Sequence, residues 1–289
     1  MRGFCLSSSF PEKGVGWLEI PKPQIQNPYD AILEPVAVSP CTSDVHSARA
    51  NMAGGNAASN LILGKTGQKR PDIVLGHEAV GRVVEVGALV TDFKVGDVVS
   101  VPCVTPNWLT LEVQNGWYQH SGGQAGGRFT SLRDHGVFGE YFRIPFADMN
   151  LARIPEGVSL AAGVMATDMI TTGFSAVEMA EVAYGDTVVV IGIGPVGLMS
   201  VAGAALRGAG RIIAVGGREV TRELAVKYGA EVTVDYRDGD LRQQLDEVLG
   251  PKKADAVIIA GGNEDTVSLA MGLVHVYGRV ANLLGLSGE

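Results

Sequence analysis

The chain has 289 residues, enough for two domains with sizeable cores. Hydrophobic residues make up 46 % and charged residues 19 %, which excludes a disordered polymer, and 39 glycines gathered at turns without a repeating period exclude a fibrous one. A net charge of −8 with no basic run argues against nucleic acid as a partner. Met1 to Gly14 carries neither a basic n-region nor an apolar h-region, and no apolar stretch is long and glycine-free enough to span a membrane. Cys5, Cys41 and Cys103 cannot form a disulfide framework and fit a reducing, cytoplasmic compartment.

The first half reads as β-rich. Ala31 to Val38, Val80 to Val86 and Asp97 to Val101 are short β-branched runs ended by Gly, Pro or Asp. Residues 50 to 71, with Gly54-Gly55, Asn56, Ser59, Lys65, Lys69 and Arg70, read as an exposed loop or insertion. Past Pro155 a long helical stretch is predicted from about Leu160 to Ala180. Strand and helix then alternate. Val188 to Ile191 leads into a glycine turn and a helix; Arg211 to Val215 precedes a helix over Glu219 to Tyr228. Val232 to Tyr236 precedes a helix carrying Leu241, Leu245 and Leu249, and Ala256 to Ala260 precedes one over Asp265 to Val274. A fifth strand is expected over Arg279 to Leu284. This order predicts a parallel sheet with right-handed crossovers, so the fold class is α/β.

The run Val188-Val189-Val190-Ile191 followed by Gly192-Ile193-Gly194-Pro195-Val196-Gly197 is a Gly-x-Gly-x-x-Gly turn between a strand and a helix. That context suits a pyrophosphate, which needs a tight turn, close backbone approach and free N–H groups at a helix start. At the end of the next strand, where NAD-binding chains carry an acid for the ribose hydroxyls, this chain reads Gly216-Gly217-Arg218. Loss of the acid removes repulsion of a 2′-phosphate, and Arg218 can pair with one. NADP is therefore favoured, with the adjacent Glu219 opposing it and an ordinary solvated Arg218 as the alternative.

Three segments carry metal-type residues. His77-Glu78 opens the run Gly76 to Gly87 at the entry to a strand, and Cys41 stands in Pro40-Cys41-Thr42-Ser43-Asp44. Asp168 lies in Val164-Met165-Ala166-Thr167-Asp168-Met169-Ile170, an otherwise apolar stretch, where a buried carboxylate needs a cation or a hydrogen-bonding partner. Each residue alone reads as structural. As a set, thiolate, imidazole and carboxylate suit zinc, and three protein ligands leave a fourth position open. Zinc joined to a dinucleotide fold implies hydride chemistry on an alcohol or carbonyl.

These motifs resemble the zinc-dependent medium-chain alcohol dehydrogenases, and within them the NADP-dependent secondary-alcohol branch. The likeness runs through Pro40 to His46, Gly76 to Gly87, Asp168-Met169-Ile170-Thr171-Thr172-Gly173-Phe174, Gly192 to Met199, Arg207 to Gly216 and Ile259 to Asn263. It implies a β-rich GroES-like catalytic domain over 1–171 and a Rossmann doubly wound parallel sheet over 172–289. Catalytic zinc would be held by Cys41, His77 and Asp168, with Glu78 as a neighbouring or alternate fourth ligand. Thr42 or Ser43 with His46 would relay the alcohol proton to water, unless His46 is a plain surface imidazole. Ile193 to Val196, Gly216, Gly217, Arg218, Tyr236 and Leu283-Leu284-Gly285 would line the NADP site. Cys103 reads equally as a pocket wall or an ordinary core thiol. A small-molecule alcohol or ketone is the expected partner, and the family assembles as a homo-oligomer, tetramer or dimer.

Three departures stand out. The segment between Cys41 and His77 is longer than in the branch. Arg128, in Gly122 to Phe129, and Gly285 replace family aromatics, so a roomier pocket is expected. Relatives also continue beyond the fifth strand, so the Rossmann sheet is expected to lack its last strand, with lowered stability or altered assembly. Two alternatives remain open: a related zinc dehydrogenase for polyols or aldehydes, and a truncated, inactive homologue that still binds NADP or zinc.

Overall fold

The computed structural model describes residues 1–7, 9–10, 12–52, 72–118, 121 and 136–284. The expected loop or insertion at 50–71 (beyond the helix that ends at Met52), the Gly122 to Phe129 loop with Arg128, and Gly285 lie outside the described residues. The chain divides into two compact units, Met1–Asp168 and Met169–Glu289.

The first unit is built on antiparallel sheets. β1 (Arg2–Leu6), β2 (Val15–Glu19) and β4 (Ile73–Val74) form a three-stranded sheet in the order β2-β1-β4. β3 (Ala31–Ser39), β5 (Glu78–Val86), β6 (Val98–Val101), β7 (Phe142–Ile144) and β8 (Ala152–Arg153) form a five-stranded one, ordered β7-β3-β5-β6-β8. Its core gathers Ala31, Leu33, Ala79, Val83, Val99, Val101, Phe142 and Ile144, all fully buried. Fully burying side chains of the Val, Leu or Phe kind is worth about 1.5–3 kcal/mol each. Among the described residues, the short helices α1 (Thr42–Met52), α2 (Leu111–Gln114) and α3 (Ala147–Asn150) complete the turns. The β1–β2 pair and α1 have no counterpart in the sequence reading.

The expected continuous helix from Leu160 to Ala180 is broken. It forms α4 (Leu160–Met165), which lies against β3, β5 and β6, and α5 (Met169–Met179), with Ala166 to Asp168 in a turn between them. Thr167 lies in that turn, and its Oγ1 donates to Val164 O at 2.6 Å, a back-bond that competes with the helical ladder. The Thr167 carbonyl then accepts from Cys103 N–H at 3.1 Å, which ties the turn to the strand region. Asp168 thus sits at a turn rather than within an apolar helix.

The second unit is a five-stranded parallel sheet, ordered β11-β10-β9-β12-β13. Its strands are β9 (Thr187–Ile191), β10 (Arg211–Val215), β11 (Val232–Val234), β12 (Ala254–Ile259) and β13 (Val274–Asn282). The helices are α5, α6 (Pro195–Leu206), α7 (Glu219–Lys227), α8 (Leu241–Leu249) and α9 (Asp265–Leu273). Alternation along the strands divides the core into two faces. Val188, Val190, Ile212, Ala214, Ala256 and Ile258 pack with Val177 of α5 and with Leu198, Val201 and Ala204 of α6. Val189, Ile191, Ile213, Val215, Val257 and Ile259 pack with Leu245 and Leu249 of α8 and Leu273 of α9. Helices therefore cover both faces, as in a doubly wound sheet. Strand order reverses beside β9, so a crevice is expected outside the carboxyl ends of β9 and β12. The fifth strand starts earlier than the sequence suggests, directly after α9, and ends at Asn282, leaving Leu283 and Leu284 just beyond it. Among the described residues no helix is long and apolar enough to cross a membrane.

Candidate functional site

Strand register assembles the metal-type residues, all within the first unit. Ser39 at the end of β3 pairs with Glu78 at the start of β5. Cys41, two residues past β3, therefore emerges beside His77 and Glu78, and the turn after α4 brings in Asp168. One donor atom from each of Cys41, His77, Glu78 and Asp168 lies within 4.8 Å of the others. His77, Glu78 and Asp168 are buried, while Cys41 is half-buried.

His77 is held from both sides. Its Nε2 lies 3.3 Å from Asp168 Oδ2 and its Nδ1 3.5 Å from Asp44 Oδ1. The Asp44 carboxylate also accepts from Cys41 N–H at 3.0 Å and from Gly76 N–H at 3.2 Å, so it pins the backbone of both ligand-bearing segments. Asp44 N–H in turn donates to Cys41 O at 3.1 Å, a reciprocal arrangement like a capping box at the start of α1. Sequence reasoning gave Asp44 no role. The signal was present: an acid three residues after Cys41 at a helix start, pointing back at the residue before the helix.

The cluster is rich in negative charge. Burial, and after it the Asp168 carboxylate, pushes Glu78 up to about 6. Burial works against protonation of His77, yet Asp168, Asp44 and Cys41 outweigh it and push the imidazole up to about 11. Burial followed by the charges of Asp168, Glu78 and Cys41 drives the Cys103 thiol above its ordinary range. Glu78 Oε2 is buried and without a hydrogen-bond partner among the described residues. Thiol, imidazole and carboxylates at this reach, with an orphaned carboxylate oxygen among them, make a donor set that fits a zinc-type cation. Ser43 joins the cluster, its Oγ 3.5 Å from His77 Nε2. Thr42 and His46 lie exposed on α1.

The glycine turn stands at the carboxyl end of β9 in the second unit. Gly192 has φ +89° and lies so close to Gly261 that a Cβ would come within 2.4 Å of that backbone. At Gly197 a Cβ would come within 1.9 Å of Gly192 O. Gly194 is the residue before α6, and nothing lies within 4 Å of where its Cβ would be. Two glycines thus close the turn and the third leaves open space at a helix N-terminus, the arrangement a pyrophosphate requires. Pro195 fits the first helical position, where its missing N–H costs nothing. Gly216 and Gly217 follow β10, and exposed Arg218 precedes α7. Tyr236 is 54 % exposed. Leu283 N–H donates to Ile259 O at 2.9 Å, which places Leu283 and Leu284 beside the end of β12.

Residues 195–289 match the family model described as zinc-binding dehydrogenase, and residues 27–156 that of the alcohol dehydrogenase GroES-like domain. The NADP-dependent isopropanol dehydrogenase of Thermoanaerobacter brockii is 50 % identical over 284 residues, covering 98 % of this chain and 75 % of that protein. This chain belongs to the zinc-dependent medium-chain alcohol dehydrogenases. A second member, the NADP-dependent isopropanol dehydrogenase of Clostridium beijerinckii, is 47 % identical over 98 % of this chain and 76 % of its own length. Among solved structures, zinc dependent alcohol dehydrogenase 2 from Streptococcus pneumonia in its apo form is similar, with a TM-score of 0.83 at 28 % identity. That likeness covers 100 % of this chain and 77 % of the other. Both expected parts of the fold, the GroES-like domain and the Rossmann-type parallel sheet, are thereby accounted for.

Proposed function

We propose that this enzyme transfers hydride reversibly between a secondary alcohol or ketone and NADP, with zinc at the Cys41–His77–Asp168 cluster. The observation that carries the reading is the convergence of Cys41, His77, Glu78 and Asp168 within 4.8 Å. Two relatives at 47–50 % identity bear the name NADP-dependent isopropanol dehydrogenase, which supports both the substrate class and the cofactor. We assign residues 1–171 to the catalytic domain and 172–289 to the NADP-binding domain.

Zinc held by Cys41, His77 and Asp168 supplies Lewis acidity toward an alcohol or carbonyl oxygen. The protein contributes the rest. Asp44 orients His77 and lends its ring basicity, the usual task of a carboxylate behind a metal-binding imidazole. Glu78, buried with a free oxygen, is the alternate fourth ligand. Ser43, close to His77, is the better placed of the two hydroxyls to take up the alcohol proton, and Thr42 or exposed His46 passes it to water. The open space before Gly194 admits the pyrophosphate of NADP against Ile193, Pro195 and Val196. Gly216, Gly217, Arg218 and Tyr236 receive the adenosine end, and Leu283 and Leu284 flank the nicotinamide side. Cytoplasmic location and homo-oligomeric assembly complete the proposal.

The test is NADP reduction by the zinc-supplemented chain with 2-propanol, ethanol and sorbitol, each with and without a chelator. Turnover with 2-propanol that the chelator abolishes is the expected outcome. Preference for sorbitol or ethanol would move the enzyme to the polyol or aldehyde class. Zinc and NADPH binding without any turnover would make it an inactive homologue.

A further inference from the structure

No acid ends β10, yet the neighbouring strand supplies one. Asp235 follows β11, whose Val234 carbonyl accepts from Gly216 N–H at 2.9 Å, so Asp235 sits beside the Gly216–Gly217 turn. It is buried, at 8 % exposure. Two guanidinium groups claim it. Arg222 Nη1 donates to Asp235 Oδ2 at 2.7 Å and also to Gly216 O at 3.1 Å. Arg237 donates from Nε to Oδ1 at 2.9 Å and from Nη2 to Oδ2 at 2.6 Å, and the same Nη2 reaches Gly217 O. One carboxylate therefore holds two arginines, and each arginine holds one carbonyl of the turn. The packing is tight: a Cβ on Gly217 would come within 3.0 Å of both Arg237 Nε and the Tyr236 ring.

We propose that Asp235 is a positioning residue for the 2′-phosphate of the cofactor, fixing the Gly216–Gly217 turn through Arg222 and Arg237. The inference rests on the NADP reading above. A guanidinium fork ordered before binding loses less rotamer freedom on meeting a phosphate than a free one does. The carboxylate is paired with two guanidinium groups, Arg222 and Arg237, and Arg218 stands at the same turn, so three arginines face the acids Asp235, Glu219 and Asp238. Arg237, 58 % exposed on its side chain, keeps a face open to solvent.

The two roles Asp235 could play have opposite signs. As a bare negative charge it repels a phosphate, so its removal would tighten binding. As a positioning group its removal weakens binding. The discriminating experiment titrates the zinc-loaded full chain by calorimetry with 2′,5′-ADP and 5′-AMP, probes that differ by the 2′-phosphate alone. Wild type is expected to favour 2′,5′-ADP. Asp235→Asn is expected to cut that preference about tenfold, the scale of one well-placed charge-assisted pair, with 5′-AMP affinity unchanged. Arg222→Lys keeps the charge but is shorter and lacks the planar fork, so it weakens the bridge to Asp235 and Gly216 O, shifts the ratio the same way, and decides the matter alone if Asp235→Asn does not fold. A high wild-type ratio that the folded variants leave unchanged or raise overturns the inference alone. A wild-type ratio near one overturns the NADP reading and the inference with it.

Discussion

Six consecutive residues, Gly192 to Gly197, complete the dinucleotide turn, whereas the metal cluster draws Cys41, His77, Glu78 and Asp168 from separate segments. The first is specified by absent atoms: a Cβ at Gly197 would collide with the Gly192 carbonyl. The second is specified by present atoms, four donors from three segments, carried there by β-ladder register and by a helix that stops short at Met165. A contiguous site should therefore be intolerant of volume and a dispersed one intolerant of changed chemistry. Substitutions can break that contrast.

The largest effect is expected at the dispersed site. Asp168→Ala removes one donor from the cluster of Cys41, His77, Glu78 and Asp168, so zinc content should fall toward zero. Turnover of 2-propanol should drop by more than about a thousandfold, the several kcal/mol that a Lewis-acid metal supplies. NADPH affinity, measured by fluorescence, should stay within about threefold, since the glycine turn belongs to the other unit. A parallel loss of nucleotide binding would show that the two sites are not independent.

Next come the glycines, where two substitutions of similar size should part company. Gly197→Ala forces its Cβ against backbone and should cost about 1–3 kcal/mol of stability in chemical denaturation, with NADPH binding lost. Gly194→Ala meets nothing within 4 Å, so stability should change by no more than about 0.5 kcal/mol while NADPH still binds more weakly. Equal stability losses in the two would refute the division of labour within the turn.

This contrast also governs how much the sequence revealed. Parallel strands buried on both faces read as near-continuous apolar runs, so β9 and β10 were legible almost to the residue. The glycine turn was legible because its logic is local. The metal residues were legible as types and as a resemblance, but their convergence depends on the Ser39–Glu78 register, which no local pattern encodes. Asp44 escaped notice because its role is to tie its own segment, at Cys41, to the distant Gly76-His77 pair. The break before Asp168 escaped because Val164 to Ile170 is largely apolar and free of Gly and Pro; the Thr167 hydroxyl bonding back to Val164 carries no sequence signature of its own. The β1–β2 pair was missed as well: Trp17 on its solvent face packs edge-on against Phe4, blurring the alternation that a half-buried strand shows.

The smallest expected effect lies away from both sites, at the amino-terminal ends of the parallel strands. His275 Nε2 lies 2.9 Å from Asp255 Oδ1, while Asp255 Oδ2 accepts from Thr187 N–H at 2.8 Å. The Asp255 carboxylate, and then the Val276 carbonyl, hold the His275 pKa above its usual 6.5. Partial burial works to raise Asp255, but the Thr187 N–H and His275 prevail and hold it below its usual 3.8. A raised histidine contributes fully below 6.5 and fades as pH climbs through its folded value. A depressed carboxylate contributes fully above 3.8 and fades as pH falls through its folded value. Their shared window is therefore pH 3.8 to 6.5. Within it His275→Gln should lower the melting temperature by only about a degree, because the pair is well solvated. The deficit should shrink on either side, with NADPH affinity unaltered throughout. A deficit that instead grows above neutrality would mean that His275 acts as a packed neutral ring and that the ion pair contributes nothing.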